Sequence, residues 1–345
     1  MTAGLPVLTA ADAQTAVRRV SGTFDPARRT LFSVFRDEMY FAPAFLDHYR
    51  GIGVRQFLIL DDGSVDGTRD FLAAQPDCVL LASEFSYGQP IVFVDQAGRR
   101  HRQRAGIFFK MAVPPAFVSD DYVLYLDADE FLLLPPQVSS VETVVARLRA
   151  SRAAGCVAAI AEFFPDRFSA LREPLAARTL GDLIARYGYF QAEPVAEVDA
   201  SGFPAPLGPS KSTKLFRRYG IRTPQRGLRK KALALFRPEY RKSPQFKTPI
   251  YLCDGDAALA GTHALAKPAA QDILLTVAHF VFTSQLEDKI GRALEWRSYV
   301  NGSDKYEHYA RLFRAAGRGN DSLLDEASAR FTSADQLTAA GLMRW

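Results

Sequence analysis

The chain has 345 residues, 48% hydrophobic and 23% charged, with a net charge of +5 and three cysteines. That is ordinary globular composition, enough for one large α/β domain with appendages or two smaller domains around a sizeable core. No run approaches the roughly 18 consecutive apolar residues that span a bilayer, and Met1 to Val20 lacks the basic start and apolar run of a secretory signal. Cys78, Cys156 and Cys253 are odd in number and widely spaced, which argues against a disulfide framework or a zinc site. A reducing cytoplasm is the expected setting.

Residues 1–29 show no clear periodicity and are expected to form a lead-in helix or arm. Thr30 to Phe35 predicts a first buried strand, and Tyr40 to Gly51 has helical spacing closed by Gly51-Ile52-Gly53. A second strand is expected at Phe57–Leu60, a helix from Asp66 to Ala74, and a third strand at Cys78–Ala82. Residues 83–99 predict a loop, and Arg100 to Phe117 a helix stopped near Pro114-Pro115. A strand at 122–126, a helix over Val141–Ala150 and a strand over Cys156–Phe164 follow, then a mixed stretch at 165–210. Ile273–Thr283 predicts a late strand, and helical patterns cover Gln285–Tyr299, Lys305–Ala316 and Ser322–Ala329. Strands alternating with helices predict an α/β fold: a Rossmann-like, mostly parallel central sheet with helices on both faces and a helical C-terminal extension. The expected division is a lead-in at 1–29, a main domain at 30–283 and the extension at 284–345.

Two stretches carry chemistry. Tyr122 to Phe131 delivers Asp127 and Asp129 to a strand's carboxyl edge, where open α/β sheets bind ligands. Two hard oxygen ligands one residue apart suit a divalent cation that keeps positions open for phosphate; an acidic turn capping a buried strand is the plainer reading. Arg55 to Thr68 is a second strand ending in Asp61-Asp62-Gly63-Ser64, where Asp62 can hold the uracil or ribose of a nucleotide. Asp-Gly-Ser is also common turn chemistry, and Asp66 can cap the next helix. Separately, residues 211–247 hold thirteen Lys or Arg against one acid, Glu239. Such a block is either a solvated loop or a surface for an anionic partner: sugar diphosphate, acidic glycan, lipid headgroup or nucleic acid.

In this order and at this spacing, Asp61-Asp62-Gly63-Ser64 and Asp127-Ala128-Asp129-Glu130-Phe131 resemble the GT-A glycosyltransferases of the family 2 type. Phe35-Arg36-Asp37-Glu38 stands where relatives carry an Asn-Glu start, with Phe-Arg replacing the more usual Lys-Asn. Ala161 to Pro165 resembles a strand-to-loop segment of the acceptor region, where relatives often place an acid. Arg226 to Lys231 through Phe246 to Pro249, Gly261-Thr262-His263 and Ala278-His279-Phe280 resemble segments of one bacterial subgroup. The resemblance spans roughly residues 30–295. It implies transfer of a sugar from a nucleoside diphosphate sugar, UDP-sugar favoured, to a hydroxyl acceptor, glycan or lipid-linked, with Mn²⁺ or Mg²⁺ as cofactor. Nucleotide contacts are then expected from Phe35, Glu38, Asp62 and Asp127. Asp129 is the expected first metal ligand, Asp127 holds the ribose or a metal-bound water, and His279 or its rival His263 completes the metal set. Arg104 and Lys110, with Arg229 and Lys247 from the basic block, are the expected phosphate contacts.

An inverting transfer needs a carboxylate to take the acceptor's proton; Glu162 is the first candidate and Asp166 the second. Surface polysaccharide or glycoconjugate synthesis, with a possible peripheral membrane contact and no nucleic acid, fits this reading. The alternatives are a nucleotidyltransferase, which wants a Gly-rich, Lys-containing phosphate loop that Phe35 to Glu38 does not offer, and a binding module for anionic glycan or nucleic acid. A glycosidase also pairs carboxylates, but Asp127 and Asp129 are too close in sequence to flank a sugar as acid and base.

Overall fold

The computed structural model describes residues 4–95, 97–225, 228–236, 238–255, 259–296, 300–316 and 321–345. In place of the expected lead-in arm, the chain opens with β1 (Val7–Thr9) and β2 (Val17–Ser21). The expected first strand is β3 (Thr30–Phe35), followed by α1 (Ala42–Gly51), β4 (Gln56–Asp61), α2 (Thr68–Ala73) and β5 (Cys78–Ser83). The predicted loop at 83–99 contains β6 (Pro90–Val94), which pairs with β7 (Arg100–Arg104). Arg-His-Arg-Gln-Arg has no apolar residue to mark a strand; the hairpin's own pairing, with Asp95 accepting from Arg99 and His101, forms it.

The helix expected from Arg100 therefore starts later, as α3 (Ala105–Phe117), and Pro114 and Pro115 lie inside it rather than ending it. Its buried Phe108, Phe109, Ala112 and Val113 hold the prolines' turn against the core. Next come β8 (Asp121–Tyr125), β9 (Glu130–Leu133), α4 (Val141–Ser151), β10 (Gly155–Glu162) and α5 (Leu180–Tyr187). Short strands β11 (Tyr189–Gln191), β12 (Ala196–Val198) and β13 (Pro204–Pro206) lead to α6 (Lys211–Arg218) and α7 (Leu228–Phe236). The chain then forms β14 (Phe246–Cys253), β15 (Leu274–His279), α8 (Leu286–Trp296), α9 (Val300–Ala316), β16 (Ser328–Arg330) and α10 (Asp335–Ala339).

The central sheet has nine strands in the order β2-β5-β4-β3-β8-β14-β10-β15-β9. Six of them (β3, β4, β5, β8, β10 and β15) run the same way, giving the expected mostly parallel α/β sheet. β3, β4 and β10 are almost wholly buried, as strands covered on both faces must be. β14 is the main surprise: the end of the basic block is a central strand, antiparallel to both β8 and β10. Its pairing with β10 slips between Cys156 and Ala158, opposite Thr248-Pro249, where proline cannot donate to the ladder.

The helix expected at Ser322–Ala329 is absent. Asp325 and Ser328 take each other's hydrogen bonds there, and β16 pairs with β11. The tail returns to the main sheet, where Arg344 exchanges backbone hydrogen bonds with Leu274. Among the described residues no helix is long and apolar enough to cross a membrane.

Candidate functional site

Because six strands point one way, their carboxyl ends gather the loops that follow them, and a cleft of about 340 Å³ opens there. Its wall begins with the loops after β3 and β4, which side chains fasten together. Ser64 Oγ accepts the Asp37 N–H at 2.9 Å, and Asp37 accepts the Val65 N–H at 2.8 Å. Asp66 accepts the Met39 N–H and Thr68 Oγ1 accepts the Glu38 N–H, both at 3.0 Å. Asp61 takes the Ser64 N–H with Oδ1 at 3.2 Å, and its Oδ2 is buried without a hydrogen-bond partner.

Asp62 faces the cleft. Its carboxylate accepts from the Tyr87 N–H at 2.7 Å and from Arg36 at 3.1 Å. Burial raises its pKa, and those two partners oppose the rise. Tyr87, which nothing in the predicted loop singles out, packs its ring where a Cβ on Gly106 would stand, 2.4 Å away. Arg104 and Lys110, from the start of α3 and its second turn, lie 5.3 and 5.4 Å from that ring's centre.

The two aspartates after β8 differ sharply. Asp127 accepts from Lys110 at 2.7 Å and lies 3.4 Å from Lys247. Burial alone would raise its pKa; the two ammonium groups overcome that and hold it far below the usual carboxylate range. Lys247 is fully buried and also pairs with Glu130, so it is an internal counterion and not the expected phosphate clamp. Asp129 lies 3.7 Å from His279 and 3.4 Å from Lys289 of α8. Lys289 also pairs with Glu38 at 3.1 Å. Burial pushes Glu38 up to about 7 although Lys289 opposes it, and Glu38 Oε2 is buried without a hydrogen-bond partner. Lys305 and Tyr309 of α9 close the far wall. Burial works against the Lys305 charge, but Tyr309, Glu162 and Asp129 hold its pKa above normal.

Phe35, Glu38, Asp62, Arg104, Lys110, Asp127, Asp129, His263 and His279 all line this one cleft. Four expected site residues do not. Both Glu162 oxygens are used at the start of α6, taking the Ser212 N–H at 2.6 Å and its hydroxyl at 2.7 Å. That placement makes Glu162 a buried helix anchor and not an exposed base. Asp166 pairs with Arg167 on the surface outside the cleft, and Arg229 is exposed on α7. Lys247 lies beneath the floor, as above. Missed altogether were Tyr87, Lys289 and Lys305. The only available signal for the lysines was helical patterning in a segment expected to be an extension.

The donor set bears on a divalent metal. Among the described residues no group of three or more His, Cys, Asp or Glu side chains could hold one. Asp127 does not fit, since two lysines already occupy its oxygens. His263 lies near Lys247 and Asp127 and not beside Asp129; burial, helped by Lys247, pushes its pKa down to about 3, so its imidazole is neutral. Asp129 and His279 fit better: Lys289 meets Asp129 Oδ2 at 3.4 Å, and Oδ1, 3.7 Å from His279 Nε2, pairs a hard oxygen with an imidazole at the cleft.

No family model matches the chain, and no curated protein matches it. Among solved structures, that of a UDP-glucose pyrophosphorylase complexed with UDP-glucose is similar, with 11% identity and a TM-score of 0.25 over 66% of this chain and 93% of that one. A likeness that slight carries no argument about this protein.

Proposed function

We propose that the cleft binds a nucleoside diphosphate sugar and transfers the sugar to a hydroxyl acceptor. One observation carries the reading. The two aspartate turns, after β4 and after β8, meet in a single cleft at the ligand-binding edge of the sheet, and Arg104, Lys110, Lys289 and Lys305 line it. Asp62 holds Arg36 and Tyr87 in place for the nucleoside. The cations face the diphosphate, where negative charge grows as the glycosidic bond breaks, and in a half-buried cleft that compensation is far stronger than in water. A divalent cation held by Asp129 and His279 would supply Lewis-acid neutralisation of the same charge when bound. The acceptor's proton goes to a carboxylate of the cleft wall, since Glu162 and Asp166 do not reach it.

The test is calorimetric and thermal titration with uridine diphosphate and a panel of nucleotide sugars, with Mn²⁺ and with EDTA. Binding raises the melting temperature in a concentration-dependent way, and Asp62→Ala weakens it by about 1–3 kcal/mol while the fold survives. Release of the nucleoside diphosphate from a nucleotide sugar marks glycosyl transfer, whereas nucleotidyl transfer consumes a nucleoside triphosphate and a sugar phosphate and releases free diphosphate. If no nucleoside diphosphate stabilises the protein in either condition, the reading is wrong.

A further inference from the structure

The described side chains of helix α7 give it no packed face. Its described side chains, Arg229 to Leu233 and Phe236, are all exposed, with Leu233 58% and Phe236 85% accessible. A nine-residue helix is marginal in water without a packed face. Yet the segment is tethered. Arg222 and Tyr240 pair across its base, Thr223 donates its N–H to the Glu239 carbonyl at 2.9 Å, and Gln225 donates to the Glu239 carboxylate at 2.9 Å. Glu239 is the only acid in the whole basic block, and it is spent there. Among the described residues none pairs with Arg229, Lys230 or Lys231. Just past the base, Arg241 binds Asp304 at 2.6 Å, and Arg241 and Pro244 line the cleft mouth.

A surface that satisfies this helix must accept both large apolar side chains and several cations over a length of about 13 Å. A nucleic acid satisfies the cations but leaves Leu233 and Phe236 in water. The headgroup layer of an anionic bilayer does both: basic side chains meet acidic lipid, and the apolar ones enter the acyl boundary. The helix is far too short to span, so it can only lie in the interface. We infer that α7 is a membrane-surface anchor that docks on anionic lipid and holds the cleft mouth beside the bilayer. The inference does not depend on what the cleft binds.

Full-length protein is sedimented with vesicles of equal phosphatidylglycerol and phosphatidylcholine, and with phosphatidylcholine alone. Wild type partitions onto the anionic vesicles and only weakly onto the neutral ones. Lys230→Gln with Lys231→Gln lowers partitioning about thirtyfold, from roughly 1 kcal/mol per basic residue near an acidic surface. Leu233→Ser with Phe236→Ser lowers it about tenfold or more, and Phe236→Trp in an otherwise native chain shifts its emission to the blue on anionic vesicles. All variants keep the wild-type melting temperature, because the altered side chains touch no core. The inference fails if wild type stays in the supernatant, if the apolar double variant partitions like wild type, or if Phe236→Trp emission is unchanged on bound vesicles. Retention on heparin without vesicle binding also overturns it, and assigns the cations to another polyanion.

Discussion

The two ends of the basic block and its middle have opposite surroundings. Lys211 is almost fully buried beside Asp325 at 2.9 Å, and Lys247 is fully buried between Asp127 and Glu130. Arg229, Lys230 and Lys231, between them in sequence, stand exposed on α7. The residue types are the same; what differs is whether a carboxylate from another element reaches them. A cation enters the interior only when such a partner repays its desolvation, so a charge count along the chain cannot separate internal counterions from a binding surface. The comparison predicts opposite consequences for mutating the two groups.

The largest effect is expected at Lys247. Lys247→Met removes the counterion of the buried Glu130 and leaves the half-buried Asp127 with Lys110 alone, and losing one partner of a buried pair costs about 3–5 kcal/mol. Urea unfolding should show this as a lower midpoint with an unchanged slope. Adding Glu130→Gln should recover part of the loss. A single-variant loss below about 1 kcal/mol would show that Lys247 is no more structural than the α7 lysines.

Next is Glu162, which the comparison groups with the interior. Glu162→Ala removes the carboxylate that accepts both Ser212 hydrogen bonds at the first turn of α6, where a buried donor left unpaired costs about 1–3 kcal/mol, and withdraws a negative charge from a helix N-terminus. A stability loss of about 2–3 kcal/mol with nucleotide binding intact is expected. Lost transfer in a fully stable variant would return Glu162 to the catalytic role that its place in the sequence suggested.

These two residues show what the sequence disclosed. The parallel strands and their acidic tips were legible because buried strands are continuous apolar runs ending in turn residues, as in Phe57 to Asp62. The cleft's first wall followed from that, through Phe35, Asp62 and Asp129. β7 and β14 were hidden, because Arg100 to Arg104 has no apolar residue and Phe246 to Cys253 contains lysine and proline. Glu162 was misread because the acid at a strand end is visible in sequence and its partner, Ser212, is fifty residues away. Lys289 and Lys305 belong to the site only because α8 and α9 fold back over the sheet edge, and no local pattern encodes that return.

A third effect concerns His48, a half-buried base whose ring meets a backbone carbonyl. His48 Nε2–H donates to the Leu132 carbonyl at 2.8 Å, and burial pushes its pKa from 6.5 down to about 4. Its folded pKa is therefore depressed, and between about pH 6.5 and 4 the unfolded chain binds the proton that the folded chain refuses. Stability contributed by neutral His48 is present above pH 6.5 and is lost as pH falls through that window, by on the order of 2 kcal/mol. Melting curves of wild type and His48→Gln should converge on acidification, since the variant lacks this proton linkage. Parallel curves would mean that His48 is solvated.

The smallest effect on stability belongs to the exposed half of the comparison. Lys230→Gln with Lys231→Gln removes two charges that touch no described partner, and surface substitutions away from packed features stay within about 0.5 kcal/mol. Arg229, Lys230 and Lys231 are consecutive on the helix and so do not face one another, which leaves no pair interaction among them to gain or lose. Urea midpoints for the double variant should then match wild type, against the steep fall for Lys247→Met. A loss above about 1 kcal/mol would mean that these lysines meet an intramolecular acid, that α7 packs on its own chain, and that the block has no outward-facing half. Equal stability with reduced partitioning onto anionic vesicles would instead separate the two halves by function as well as by burial.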